Sequence, residues 1–319
     1  MFTSQNYNKK GYVHLFKSIT VFLILVAAAD LIIGYVYHYF YFKQTSGWEY
    51  RTKYSIENTK ADILIFGASR AQQQYNPVYF EQRLNQTCYN VGRDGEPFFY
   101  HYGILKGVLN RYTPKIIILD IENAVFRQNE SSYDRISVLL PFYQHHKEMR
   151  PIIELRSPYE KFKLLSSIYP YNSLLFKIAA GNLKHYKGQE EDIKGYLQLT
   201  NALDEPIRKV NLPEDYILDS NLVNYFRLFI KECLQRKIKL YLVCSPYFID
   251  AIGRDPSMTL AKGVAEENNI DFFDFSRDNA FLTNSKLFDD TVHVNVSGSQ
   301  IFTNKLIDSI ILKTHSPIN

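Results

Sequence analysis

Four short features of the chain carry side chains able to do chemistry together. The first is Gly67-Ala68-Ser69-Arg70, where a serine hydroxyl sits on a tight glycine turn. That hydroxyl is a weak nucleophile until a base takes its proton. The second is Asp290-Thr291-Val292-His293. A carboxylate three residues before a histidine can fold back within one loop, fix the imidazole tautomer and stabilise its positive form. The other ring nitrogen is then left to serve Ser69. Asp289 competes for the carboxylate role, and the spacing favours Asp290. The remaining two are Gly92, whose backbone N–H can approach a substrate oxygen closely, and Asn123, whose amide can donate to a developing oxyanion. Each has a plain structural reading as well: a helix-capping serine, a loop histidine beside acids, a strand-end glycine, a polar residue closing a strand.

The segments around these residues say how they are positioned. Five short apolar runs are Ala61 to Phe66, Cys88 to Val91, Lys115 to Ile121, Ile238 to Cys244 and Ile270 to Phe275. Runs this short and this apolar suit strands buried on both faces of a parallel sheet. Helical patterns separate them. Asn76 before Pro77 is an expected N-cap. Ser220 is the expected cap of a helix with Leu222, Phe226, Phe229, Ile230 and Cys233 on one face. Ser297 is the expected cap of a last helix with Ile301, Phe302, Leu306 and Ile310 inward. Strands alternating with helices imply right-handed crossovers and a doubly wound α/β sheet of five parallel strands. Ser69, Gly92 and Asn123 each follow a strand, and ligands of such sheets bind beyond the strands' carboxyl ends. Between Asn123 and Asp219 the rhythm breaks, and a largely helical insertion over one end of the sheet is expected.

The amino-terminal part is different. Ile19 to Phe42 is almost continuously apolar, long enough for a bilayer core, and ends in Tyr35, Tyr37, Tyr39, Phe40 and Tyr41 like an interfacial aromatic belt. Ala27-Ala28-Ala29 also suits the end of a cleaved signal peptide. The apolar run continues past Ala29, which favours an uncleaved anchor. Lys9, Lys10 and Lys17 precede it, while Lys43, Arg51, Lys53 and Lys60 follow. A long domain translocates despite such charges, so the bulk of the chain is expected outside the cytoplasm. Asp30, expensive in lipid, faces either a partner membrane protein or a water-accessible end. The expected organisation is a cytoplasmic segment over 1–18, an anchor over 19–42, a linker over 43–60 and an α/β domain over 61–319. The insertion takes up about 124–219 of that domain.

Composition removes several classes. With 46% hydrophobic and 22% charged residues the chain can bury a large core, so wholesale disorder is excluded. A net charge of +4 is too small and too scattered for a nucleic-acid-directed protein. Cys88, Cys233 and Cys244 cannot form a disulfide framework, and no Cys/His spacing suggests zinc. Gly92-Arg93-Asp94-Gly95 is not a dinucleotide fingerprint, no phosphate loop occurs, and Asp289 with Asp290 lacks further ligands for a metal. No cofactor is expected. The 25 Tyr and 22 Phe beside a single Trp are a surplus that composition alone leaves unexplained.

In the order of its blocks the chain resembles the SGNH, or GDSL, hydrolase superfamily. The resemblance rests on Gly67-Ala68-Ser69, Gly92, Asn123 and Asp290-Thr291-Val292-His293, and covers roughly Ala61 to Leu312 without the insertion. It implies a flavodoxin-like fold with Ser69 as nucleophile, His293 as general base and Asp290 as its orienter. It also implies Ser69 N–H, Gly92 N–H and Asn123 as oxyanion donors. The family's usual aspartate before the nucleophile is Ala68 here, and Asn123 lacks the usual Gly-x-Asn-Asp surroundings. The anchor, Ser69-Arg70-Ala71 and Cys244-Ser245-Pro246-Tyr247 are similar to a narrower group. Its members are membrane-anchored, extracytoplasmic, and assist membrane-bound O-acyltransferases in modifying surface polymers. The implied activity is acyl transfer to a glycan or other hydroxyl acceptor. Two alternatives are a non-catalytic scaffold for polymer or acyltransferase, and an extracytoplasmic esterase or lipase. The insertion is the expected place for acceptor contacts, by a minority of Tyr143, Tyr159, Tyr169, Tyr171, Tyr186 and Tyr196, with Arg135, Arg150 and Arg156 for anionic groups.

Overall fold

In the computed structural model, which describes residues 4–183 and 193–315, the five apolar runs form one parallel sheet. Its strands are β1 (Ile63–Phe66), β2 (Cys88–Asn90), β3 (Ile116–Asp120), β5 (Lys239–Cys244) and β7 (Asp271–Asp274), in the order β2-β1-β3-β5-β7. Two further short strands, β4 (Arg208–Asn211) and β6 (Ile249–Ile252), pair with each other in a separate ribbon. The helices in chain order are α1 (Ser4–Lys43), α2 (Gly47–Glu57), α3 (Ser69–Gln74), α4 (Pro77–Leu84), α5 (Phe98–Leu109), α6 (Glu130–Arg135) and α7 (Arg150–Ile153). They continue with α8 (Glu160–Lys163), α9 (Leu175–Leu183), α10 (Ser220–Gln235), α11 (Pro256–Glu267), α12 (Asn279–Leu282) and α13 (Val296–His315).

Side chains on a strand alternate between faces, and the alternation sorts the core in two. Leu64, Phe66, Ile117, Leu119, Leu240 and Leu242 join one cluster, roofed by α2, α5, α10, α11 and part of the insertion. Ile63, Ile65, Ile118, Tyr241 and Val243 join the other, roofed by α3, α4 and α13. Truncating such a side chain to alanine costs about 2–5 kcal/mol, so this double burial dominates the fold's stability. The order in which strands are added switches sides between β1 and β3, which opens a crevice beyond their carboxyl ends.

Several local expectations are corrected. Asn76 does cap α4, accepting from Val78 N. The cap of α10 is Asp219, one residue before Ser220, accepting from Asn221 N and Leu222 N. At α13 the Asn295 carboxamide takes Gly298 N, and Ser297 lies inside the first turn. Ile301 of α13 is exposed and Ile307 takes the inward place, since the face turns by 3.6 residues per turn. The linker over 43–60 is instead mostly helix α2, packed on α5 and α9. Its polar residues are buried because they are answered: Arg93 bonds Trp48 O, Thr52 and Glu49, and Thr52 Oγ1 lies 3.0 Å from Tyr100 OH.

Among the described residues the insertion is helical as far as α9, and this helical part lies beside α5, α2 and α1 rather than over the sheet end. Its later part, from Ile193, is extended and does run past the strand ends. Lys194 O takes Asn90 N, Gln72 O takes Leu197 N, and Leu199 O takes Val296 N. The segment Gly11–Lys43 of α1 is long and apolar enough to cross a membrane.

Candidate active site

Gly67 ends β1 with φ +141°, and a Cβ there would come within 2.7 Å of Ala71 Cβ and 2.9 Å of Asp120 Cβ. Only glycine allows this turn, which places Ser69 as the first residue of α3. A first-turn amide has no acceptor within its own helix, so Ser69 N–H points outward at the sheet end. The histidine loop comes from the other side. Phe288 and Val294 bridge its neck, Asp289 N donates to His293 O, and Gln74 Nε2 of α3 donates to Val292 O over 2.8 Å.

The result is a linear relay. His293 Nε2 stands 2.8 Å from Ser69 Oγ, and His293 Nδ1 stands 2.9 Å from Asp290 Oδ2. Asp290 Oδ1 accepts the amides of Val292 and His293, at 2.7 and 2.8 Å. Burial acts against the Asp290 charge, but the His293 hydrogen bond and these amides hold its pKa down to about 2. Asp289 is turned away and accepts Asn201 N, which resolves the competition between the two acids.

The oxyanion blocks are less uniform. Asn123 is half-buried on a turn whose next residue, Ala124, has φ +58°. Asp255 Oδ2 accepts Ala124 N, Ser257 Oγ accepts Phe126 N, and Tyr216 OH lies 2.9 and 2.7 Å from these two oxygens. Gly92 departs from expectation: its N–H donates to Asn90 Oδ1 over 3.0 Å. Asn90 in turn ties down Ala71 O and Tyr75 O. The missing Cβ of Gly92 serves packing, since one would lie 2.9 Å from Gln72 N.

A buried ionic network beneath the serine went unread in the sequence. Arg70 donates to Ser245 Oγ and O at 3.0 and 2.8 Å, and its Nε lies 3.5 Å from Asp120 Oδ2. Asp120 Oδ1 accepts Tyr75 OH at 2.5 Å and Ser245 N at 3.1 Å, and the Arg70 guanidinium lies over the Tyr247 ring. Burial acts against the Arg70 charge, but Asp120, Cys244 and Glu122 together outweigh it and hold the guanidinium firmly protonated. Two signals pointed here: a charge ending an otherwise apolar strand, and an arginine directly after the serine. A buried charge is kept only when it is answered. Glu122, just past Asp120, also belongs to the site. Burial lifts its carboxyl pKa, with Asp120 adding to the lift and Arg70 and His293 opposing it.

The aromatic and basic residues of the insertion are mostly spent elsewhere. Tyr196 is buried, Tyr143 OH donates to Glu154, and Tyr169 OH donates to Glu160. Tyr171 OH meets His38 of α1, and Tyr159 is exposed. Arg135, Arg150 and Arg156 bond Gly95 O, Tyr143 O and Glu160. Tyr186 lies outside the described residues. An open cleft of about 630 Å³ lies instead next to the Asn123 turn, lined by Arg127, Asn211, Glu214, Asp215 and Tyr216.

No family model matches the chain, and no curated protein matches it. Among solved structures it is similar to an acetyl xylan esterase, with 14% identity and a TM-score of 0.39 over 78% of this chain and 99% of that one. It is similar to the psychrotrophic esterase EstA from Pseudoalteromonas sp., with 11% identity and a TM-score of 0.40 over 80% and 98%. A Bacteroides fragilis protein assigned as an acylhydrolase is similar at 13% identity and a TM-score of 0.41, over 85% and 99%. These remain likenesses, and the functional reading rests on the relay from Asp290 through His293 to Ser69.

Proposed function

We propose that the chain is a membrane-anchored serine enzyme of SGNH type that moves acyl groups, acting on hydroxyls of a cell-surface or secreted polysaccharide. The observation that carries this reading is the Ser69–His293–Asp290 relay with hydrogen-bond distances of 2.8 and 2.9 Å. In the proposed reaction His293 Nε2 takes the Ser69 proton while Oγ attacks an ester or thioester carbonyl. Asp290 holds the ring and stabilises its positive form. Ser69 N–H and the Asn123 amide are the proposed donors to the oxyanion. The tetrahedral intermediate collapses to an acyl-Ser69, and His293 gives its proton to the leaving group. An acceptor hydroxyl, deprotonated by the same histidine, then takes the acyl group. A glycan acceptor makes the reaction O-acylation, and water makes it ester hydrolysis.

The polar cleft at Arg127 and Tyr216 supports a hydroxyl-rich acceptor, since sugars need donors and acceptors more than apolar walls. The length and hydropathy of Gly11–Lys43 support anchoring. The proposed orientation puts residues 61–319 outside the cytoplasm. A membrane-bound O-acyltransferase is the proposed source of the acyl group.

The test is labelling of the full chain by a fluorophosphonate probe, read alongside the acyl content of the surface polymer. The native protein is expected to label and Ser69→Ala to do neither. One observation favours a second reading, a non-catalytic scaffold: the Gly92 amide is already engaged by Asn90, which removes one of three donors. On that reading Ser69→Ala leaves polymer acylation unchanged.

A further inference from the structure

Residues 159–176 of the insertion are docked against the second half of α1. Asp30 of α1 accepts Ser166 Oγ at 2.5 Å, Ser167 N at 2.6 Å and Ile168 N at 3.4 Å. One turn on, Gly34 makes room for the same loop: a Cβ there would lie 2.3 Å from Ser167 Cβ. His38 Nδ1 lies 2.9 Å from Tyr171 OH, and the rings of Tyr41 and Phe42 pack on Phe142. Only one face of α1 is used. At the same level Leu31, Ile32, Tyr35 and Phe40 remain exposed on the other.

The depth of this contact follows from length. Helix α1 is exposed all round from Gly11 to Ala29, but only Ile19 to Ala29 of this is free of charged and histidine side chains: 11 residues, or about 16 Å of helix. A bilayer core is about 30 Å thick, so lipid has to reach along the outer face of Leu31 to Phe40 as well. The docked insertion therefore shares that depth.

Its outward chemistry agrees. Phe162, Leu165 and Phe176 are 70%, 80% and 92% exposed, while Glu160, two residues before Phe162, is 0% exposed. Glu160 is held by Arg156, Lys163, Ser157 and Tyr169 OH. A segment facing water exposes its acids and keeps large apolar side chains inside; this one keeps Leu164, Tyr171 and Leu174 inside, but it also buries its acid and leaves Phe162, Leu165 and Phe176 out. Lys161 and Lys163 sit beside the exposed side chains, with their charges paired to Glu154 and Glu160.

We propose that the segment from Tyr159 to Phe176 enters the same leaflet as the second half of α1, with Phe162, Leu165 and Phe176 among the acyl chains. The partner of this surface is the lipid bilayer. The inference rests on the anchoring of α1 proposed above. Asp30 is then no idle charge in lipid: it is the acceptor that fastens the second element to the first.

The test uses the full chain in vesicles of phosphatidylcholine and phosphatidylglycerol, some carrying nitroxide-labelled acyl chains. Single cysteines replace Phe162, Leu165 or Phe176 and carry a fluorophore; Cys88, Cys233 and Cys244 are buried. Ile24→Cys on α1 and Lys231→Cys on the exposed side of α10 are the references. The expected result is several-fold quenching at 162, 165 and 176, matching Ile24→Cys, with none at Lys231→Cys. Quenching at Ile24→Cys alone overturns the inference and leaves the anchor standing. No quenching at Ile24→Cys overturns the anchor, and this inference with it.

Discussion

Two regions of the molecule bury charge, and they do so for different ends. Beyond β1, β3 and β5, Arg70 and Asp120 are buried together and bonded to Tyr75, Ser245 and each other, directly beneath an exposed relay. On the insertion, Glu160 is buried just as fully and answered by Arg156 and Lys163, but the residues left outside are Phe162 and Leu165. In the first region the buried charges fix where α3 begins, and so where Ser69 stands. In the second they let a short segment keep an acid inside and turn its apolar side out. The same device positions chemistry in one place and suits a different solvent in the other.

Four substitutions press on that contrast. His293→Ala leaves Ser69 without a base, and kcat for ester turnover should fall about 10³-fold or more, read by probe labelling and steady-state hydrolysis. Its melting curve should be nearly unchanged, since His293 is only half-buried. Arg70→Ala breaks a buried ion pair and should cost about 3–5 kcal/mol in denaturant unfolding. Unchanged stability would remove the network from its positioning role. Asp30→Ala should cost about 1–3 kcal/mol in detergent micelles, because Ser166 Oγ and Ser167 N lose their acceptor. An idle charge in lipid would give the opposite sign. The last effect is a pH dependence at Glu96, which is buried beside Arg93. Burial lifts its carboxyl from 4.5 to about 7 against the pull of Arg93. Its folded pKa is raised, so its stabilising contribution is complete below pH 4.5 and lost as pH rises through 7. The midpoint of the native chain should therefore fall over that window more steeply than that of Glu96→Gln.

Much of this was legible in the residues. The sheet was, because Ile63–Phe66, Ile116–Asp120 and Lys239–Cys244 are short, apolar and followed by polar turns. The pairing of Asp290 with His293 was, because three residues is a loop's own span. The caps at Asp219 and Asn295 were missed by one or two positions, since adjacent Asp, Ser and Asn are chemically interchangeable there. Helix α2 was unreadable because its polar face is buried by partners far off in sequence, Arg93 and Tyr100 about 40 to 50 residues away and α9 beyond them. The Gly92 amide was misread because its acceptor, Asn90, was counted only as part of a strand. The insertion defied a core-and-surface pattern because its outward residues answer to lipid on the reading proposed above.

Helix α1 ends at Lys43 and α2 starts at Gly47, with Gln44 buried between them against Gly181. Arg93 then clamps α2 to the turn beside Ser69, its own amide donating to Gly67 O. There is no slack between the apolar helix and the nucleophile turn. With α1 in a bilayer, the reach of Ser69 is a fixed height and bearing above the lipid. Selection among acceptors is then partly a matter of address: a polymer emerging at that height meets the serine, and an identical hydroxyl farther out does not.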